Sequence, residues 1–157
     1  MSGCGLFNLN GWIMPDDAEF LQVIQSINTP LKIETYVKEH FIYKEHPYYA
    51  PNPYEFWKLG EGDCNDFETF ERFAGHYNGY TTYRFIVYFK GIFIKHSMAI
   101  FVENGKYNYF NIKGYREIYV ETFKEVYEHY KENNTEYESK YYKIYDYEGN
   151  LIEVGSL

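Results

Sequence analysis

The chain has 157 residues, enough for one domain with a sizeable hydrophobic core. Hydrophobic residues make up 45% of it, which excludes a disordered chain, and the net charge of −8 disfavours nucleic acids and anionic membranes as partners. No apolar run approaches the length of a membrane span, and no secretory signal is visible. We therefore expect a cytoplasmic protein whose two cysteines, Cys4 and Cys64, are free thiols.

Helices are expected in the first part of the chain. Residues 15–27 combine a proline and acidic residues at their start with apolar residues at helical spacing. Thr29 is the expected N-cap of a second helix, whose apolar positions continue to Phe41. The three prolines within 46–53 predict an extended loop, and 54–59 then form a short turn or helix.

A third helical pattern runs over residues 64–78 and begins at a cysteine. Asp63 is the expected N-cap, Asp66 lies in the first turn, and Gly62 allows a tight approach of the chain to Cys64. Because the N–H groups and macrodipole at a helix N-terminus favour negative charge, this position predicts a nucleophilic thiolate.

The second half of the chain is rich in β-branched and aromatic residues. The expected elements are, in chain order, strands 80–89, 92–102 and 107–112, a helix over 120–131, and a last hairpin of strands 141–147 and 151–154. Helices followed by mostly antiparallel strands predict the α+β fold class.

The hairpin between the second and third of these strands fixes a register. If its Asn-Gly loop has two residues, Glu103 pairs with Lys106. His96 and Asn111 then project from one face as diagonal neighbours, with Cα atoms roughly 7–8 Å apart, which is within side-chain reach. Asn108 projects from the opposite face, so the register excludes it as a partner of His96.

These residues form a candidate catalytic triad of Cys64, His96 and Asn111. The Cys64 thiolate would attack a carbonyl carbon, and His96 would take the thiol proton and later protonate the leaving group. Asn111 would fix the orientation of the imidazole. The Cys64 backbone N–H is the expected oxyanion donor, with the Trp57 indole N–H as a weaker candidate for the second donor. The alternative interpretations are an ordinary buried cysteine and a satisfied core histidine.

The order of these motifs resembles the transglutaminase-like superfamily, and most closely its bacterial cysteine peptidases. The family pattern is Pro-x-Glu, then Gly-x-Gly-Asp-Cys-Glu-Asp, a strand histidine and a later aspartate. The corresponding residues of this chain are Pro53-Tyr54-Glu55, Gly60-Glu61-Gly62-Asp63-Cys64-Asn65-Asp66, His96 and Asn111. The resemblance covers about residues 30–118. It implies a papain/transglutaminase-like fold in which the catalytic cysteine, at a helix N-terminus, packs on an antiparallel sheet behind N-terminal helices. Residues 1–157 would form a single domain of this kind.

Two positions depart from the family pattern. Asn65 replaces the acid after the cysteine, which leaves Asp63 and Asp66 as weak candidate ligands for the calcium ion that some of these peptidases bind. We therefore expect no cofactor, with calcium as the open alternative. Asn111 replaces the aspartate of the triad, although papain-like enzymes use asparagine in this role. The histidines show no zinc-ligand spacing.

Three functions are compatible with these features. The first is a cysteine hydrolase or acyltransferase acting on amide bonds of a peptide, isopeptide or protein substrate. The second is a non-catalytic binding module on the same fold, and the third is crosslinking of peptide glutamine to an amine. Nothing in the sequence indicates the substrate or an oligomeric state.

Overall fold

The structure is a computed structural model that describes residues 6–45, 52–91 and 94–156. Its helices are α1 (Ala18–Ser26), α2 (Pro30–His40), α3 (Pro53–Leu59), α4 (Cys64–Tyr77) and α5 (Phe123–Asn133). Its strands are β1 (Leu6–Leu9), β2 (Trp12–Pro15), β3 (Ile42–Tyr43), β4 (Glu61–Gly62), β5 (Thr82–Phe89), β6 (Lys95–Glu103), β7 (Lys106–Asn111), β8 (Gly114–Val120), β9 (Ser139–Tyr145) and β10 (Leu151–Gly155). Cys4 and most of the predicted loop over 46–53 lie outside these residues.

One antiparallel sheet of six strands, in the order β10-β9-β5-β6-β7-β8, organises the described chain. Helices α1 to α4 pack on one face of it and α5 on the other, so the apolar core is divided into two layers. Period-2 alternation sends Ala99 and Phe101 of β6 toward α4, and Met98 and Ile100 toward α5. The α+β prediction is confirmed.

The register predicted for the β6–β7 hairpin is confirmed. Glu103 pairs with Lys106, and the ladder continues to the pair Ile100 and Tyr109. Asn104 and Gly105 both have positive φ, at 52° and 74°, which is the backbone of the tight turn favoured by Asn-Gly. The register therefore follows from two loop residues.

The strands β1 to β4 and the strand β8 were not predicted. The chain begins its described part with the hairpin β1–β2, closed by Asn10 and Gly11 at φ of 49° and 87°. Strand β8 occupies a stretch for which no element was expected, and Val120 ends this strand and does not begin a helix. Helix α5 starts at Phe123 instead, because Thr122 caps it with a side chain that accepts from the Glu125 N–H.

None of the helices in the described part of the chain is long and apolar enough to cross a membrane.

Candidate functional site

A cavity of about 200 Å³ lies at the N-terminus of α4, beside the ends of β6 and β7. Cys64, His96 and Asn111 all line it. The pairing of β6 with β7 is described only as far as Ile100 and Tyr109, and the cavity lies beyond that point. The structure thus brings the three sequence-predicted residues to one cavity, although they come from three elements.

The start of α4 is fixed by a capping box. The Asp63 side chain accepts hydrogen bonds from the backbone N–H groups of Asn65 and Asp66, and the Asp66 side chain accepts from the Asp63 N–H at 3.1 Å. A Cβ on Gly62 would lie 2.6 Å from Asp66 Oδ2, so a side chain at this position would displace the cap. The cap and the glycine together set the position of Cys64.

The thiol of Cys64 is half-buried, and its pKa is raised. Burial is the largest cause, and the charges of Asp63 and Glu68 act in the same direction, against hydrogen bonds from the Ser97 backbone and the Tyr43 hydroxyl. The expectation of a thiolate stabilised by the helix N-terminus is therefore wrong for the free protein. A base must remove the proton.

His96 is suited to accept that proton because its imidazole is neutral. Burial lowers its pKa from 6.5 to about 4. The ring stacks near that of Tyr130, with centroids 6.2 Å apart, on the sheet face that carries α5. No hydrogen bond joins Cys64, His96 and Asn111 in the described structure. Such bonds often tighten only when substrate binds.

Asn111 is held by its own turn. Its Oδ1 accepts from the Lys113 N–H at 2.8 Å. A carbonyl oxygen has two lone pairs, so Oδ1 retains capacity for the ring N–H of His96. Asn108 pairs with Phe101 on the other face, as expected, and its Oδ1 accepts from two backbone N–H groups of β8.

The positions of Trp57 and Tyr43 change the expected oxyanion site. Trp57 does not line the cavity, and its indole N–H donates to the Tyr36 hydroxyl at 2.8 Å. The structure therefore does not place this weak candidate at the site. Tyr43 does line the cavity, together with Cys64. Sequence reasoning missed Tyr43 because β3 is short and its neighbours are set by tertiary contacts.

The residues around the cap do not fit a calcium ion. The Asn65 Oδ1 accepts from Arg84 Nη2 at 2.9 Å and from the Ser97 hydroxyl at 2.7 Å. The Arg84 guanidinium therefore lies beside Asn65, the residue that replaces the acid of the family pattern. The side chains of Asp63 and Asp66 already accept hydrogen bonds in the capping box. Over the described ranges, no group of three or more His, Cys, Asp or Glu side chains is arranged to hold a metal. Hard cations require several oxygen ligands without a competing positive charge.

No family model and no curated protein matches the chain. Solved structures of Legionella pneumophila LapG match it in three dimensions. The EGTA-treated form has 15% identity and a TM-score of 0.52, covering 77% of this chain and 68% of LapG. The calcium-bound form has 16% identity and a TM-score of 0.50, covering 77% and 70%. LapG is a bacterial transglutaminase-like cysteine peptidase. The present chain shares that fold.

The raised thiol pKa predicts how Cys64 reacts. In a Cys4→Ser background, we expect alkylation by iodoacetamide to be slow at neutral pH and to keep accelerating above the ordinary thiol value of 9.0. Mass spectrometry of the intact chain over time measures this rate. A rate that reaches its plateau below neutral pH would show a preformed thiolate and contradict the prediction.

The lowered pKa of His96 predicts a loss of stability in acid. Between 6.5 and about 4 the unfolded chain binds a proton that the folded chain does not, so the free energy of unfolding falls as pH falls through this range. The loss reaches up to about 3 kcal/mol. We expect urea unfolding of His96→Gln to lack this component, with the exposed-site variant His40→Gln as the control. A wild-type-like acid loss in His96→Gln would contradict the assignment.

The capping geometry predicts that calcium has no effect. We expect the thermal unfolding midpoint of the wild type to be the same with excess calcium and with EGTA. Asn65→Asp combined with Arg84→Gln restores the third acid and removes the cation, and this double variant is the positive comparison. A calcium-dependent rise in the wild-type midpoint would show that a site exists.

Proposed function

We propose that the protein is a cysteine-dependent acyl-transfer enzyme that hydrolyses a peptide or isopeptide bond, with Cys64, His96 and Asn111 as its catalytic residues. The observation that carries the proposal is that all three line one cavity at the N-terminus of α4. The shared fold with LapG, a cysteine peptidase, supports it. We further infer that residues 1–157 form a single transglutaminase-like domain.

The reaction starts from two neutral groups. As the Cys64 sulfur attacks the carbonyl carbon, His96 takes the thiol proton, and the carbonyl oxygen becomes an oxyanion. His96 then gives the proton to the leaving amine, and a thioester remains on Cys64. In the second half His96 takes a proton from water, which attacks the thioester and releases the acid, and the proton returns to the Cys64 sulfur.

Two donors next to the sulfur could receive the oxyanion. One is the backbone N–H of Cys64, which lies in the first turn of α4 and therefore has no partner within the helix. The other is the Tyr43 hydroxyl, which keeps its proton because burial raises its pKa to about 12. Loss of one oxyanion donor typically reduces kcat by about 10²–10³.

Asn111 is proposed as a positioning residue. Its amide oxygen would accept from the imidazole N–H of His96, which leaves the other ring nitrogen free to accept the thiol proton. An asparagine orients the ring without an added negative charge, so it stabilises the imidazolium less than aspartate does. The buried site makes this difference large, because low dielectric strengthens charge interactions.

The proposal is tested with p-nitrophenyl acetate, a small activated acyl donor. We expect the wild type to acquire one acetyl group on Cys64, and His96→Gln to acylate about 10²–10⁴ times more slowly. Peptide mapping locates the adduct, and Cys4→Ser is the control that retains full activity. Asn111→Asp should keep most of the rate, whereas Asn111→Ala should not.

Three results of this experiment carry different conclusions. Acylation of Cys64 at the same rate in His96→Gln would remove His96 from the mechanism. Absence of any Cys64 adduct would favour a non-catalytic binding module. Transfer of the acetyl group to monodansylcadaverine faster than to water would favour crosslinking over hydrolysis.

A further inference from the structure

The cavity continues from Cys64 along one side of α4. Four residues of this helix line it, and they follow the spacing i, i+3, i+4 and i+7 that defines one helix face: Cys64, Phe67, Glu68 and Glu71. Seven residues rise about 10 Å along a helix. Glu71 therefore lies two turns beyond the nucleophile and lines the same cavity.

Three carboxyl groups line this cavity, and two of them are compensated. Glu68 accepts from Arg72 Nε at 2.9 Å. Glu34 Oε2 accepts the Tyr115 N–H and lies 3.3 Å from Lys38 Nζ. Glu71 has no hydrogen bond and no ion pair with any part of the chain that the structure describes, although only 5% of it is exposed. A buried carboxyl without a partner is costly and calls for an explanation.

The walls between Cys64 and Glu71 are apolar. They include Val37 and Phe41 from the α2 side and Phe110 from the sheet face that carries α4. An apolar channel with an uncompensated carboxyl in its lining is complementary to an aliphatic chain with a cation at its end. Lysine and arginine side chains have this form.

We propose that this channel is a specificity site for a lysine or arginine side chain of the substrate, with Glu71 receiving its cationic group. The inference rests on the proposed function, since it places the scissile carbonyl at Cys64. The two-turn separation also argues that the bound cation is a recognition group and not an amine that attacks the acyl-enzyme, because an attacking amine must reach Cys64 itself.

The electrostatics of the empty channel agree with this role. Burial raises the pKa of Glu71 well above its ordinary value of 4.5, and the neighbouring charges of Glu68 and Glu34 add to the shift. Lys38, which is more than half exposed, is bound to Glu34 at the rim. An entering cation supplies the charge that Glu71 lacks, so binding releases a proton and strengthens as pH rises.

The test uses n-butylamine as the probe and the alkylation of Cys64 by iodoacetamide as the readout, in the Cys4→Ser background. We expect n-butylammonium to slow alkylation, more strongly at higher pH, and the uncharged n-butanol to do so at least about tenfold less effectively. Glu71→Gln should remove this difference. Glu34→Gln, which alters a compensated carboxyl in the same cavity, should preserve it.

The outcomes separate this inference from the proposed function, because alkylation does not require catalysis. Equal protection by the amine and the alcohol, or unchanged amine protection in Glu71→Gln, overturns the specificity site. Amine-selective protection without any acetylation of Cys64 overturns the proposed function and leaves a cation-binding channel. Glu71→Met serves as a second variant, and both should unfold at or above the wild-type midpoint, since each removes a buried unpartnered acid.

Discussion

The whole site depends on the attachment of the N-terminus of α4 to the centre of the sheet. Asn65 is the contact that makes it, because its amide oxygen accepts from Ser97 on β6 and from Arg84 on β5. The capping box fixes the backbone one residue earlier, so the Cys64 thiol is held by both covalent geometry and tertiary hydrogen bonds. A cavity beside the strand ends becomes a candidate active site only because this attachment places a thiol in it. The same attachment explains the poor fit to calcium, since Arg84 supplies the positive charge near the helix start.

Helix α4 combines structural and functional demands. One side carries apolar residues that pack under β6, and the cavity side carries Glu68 and Glu71. Glu68 is stabilised by Arg72, four residues later, and Arg84 Nε lies 3.3 Å from it. Glu71 receives no such compensation from the described residues, which is expensive in a buried site. A residue that lowers folding stability and makes no stabilising contact is typical of a binding site.

The sequence predicted what local rules determine and missed what tertiary contacts determine. The Asn104-Gly105 loop has a single favourable backbone form, so the register of the hairpin as far as Ile100 and Tyr109 could be worked out from it. The helical spacing of Cys64, Phe67, Glu68 and Glu71 could also be recognised in the sequence. The absence of a counter-charge for Glu71 among the described residues could not. Tyr43 lies in a strand of only two residues, and nothing local indicated its contact with Cys64. Strand β8 was missed because its short connection at Gly114 resembles a loop.

The directions of the pKa shifts of Cys64 and His96 determine the protonation state of the site before substrate binds. A lowered pKa for the Cys64 thiol would have produced a standing thiolate–imidazolium pair, as the helix N-terminus alone suggests. Burial has the opposite effect on both partners, since it raises the thiol pKa and lowers the imidazole pKa. The ion pair is therefore disfavoured from both sides until substrate brings the carbonyl oxygen to its donors and the developing charge is stabilised. Such a site gains reactivity from the bound substrate, which makes recognition along α4 part of activation.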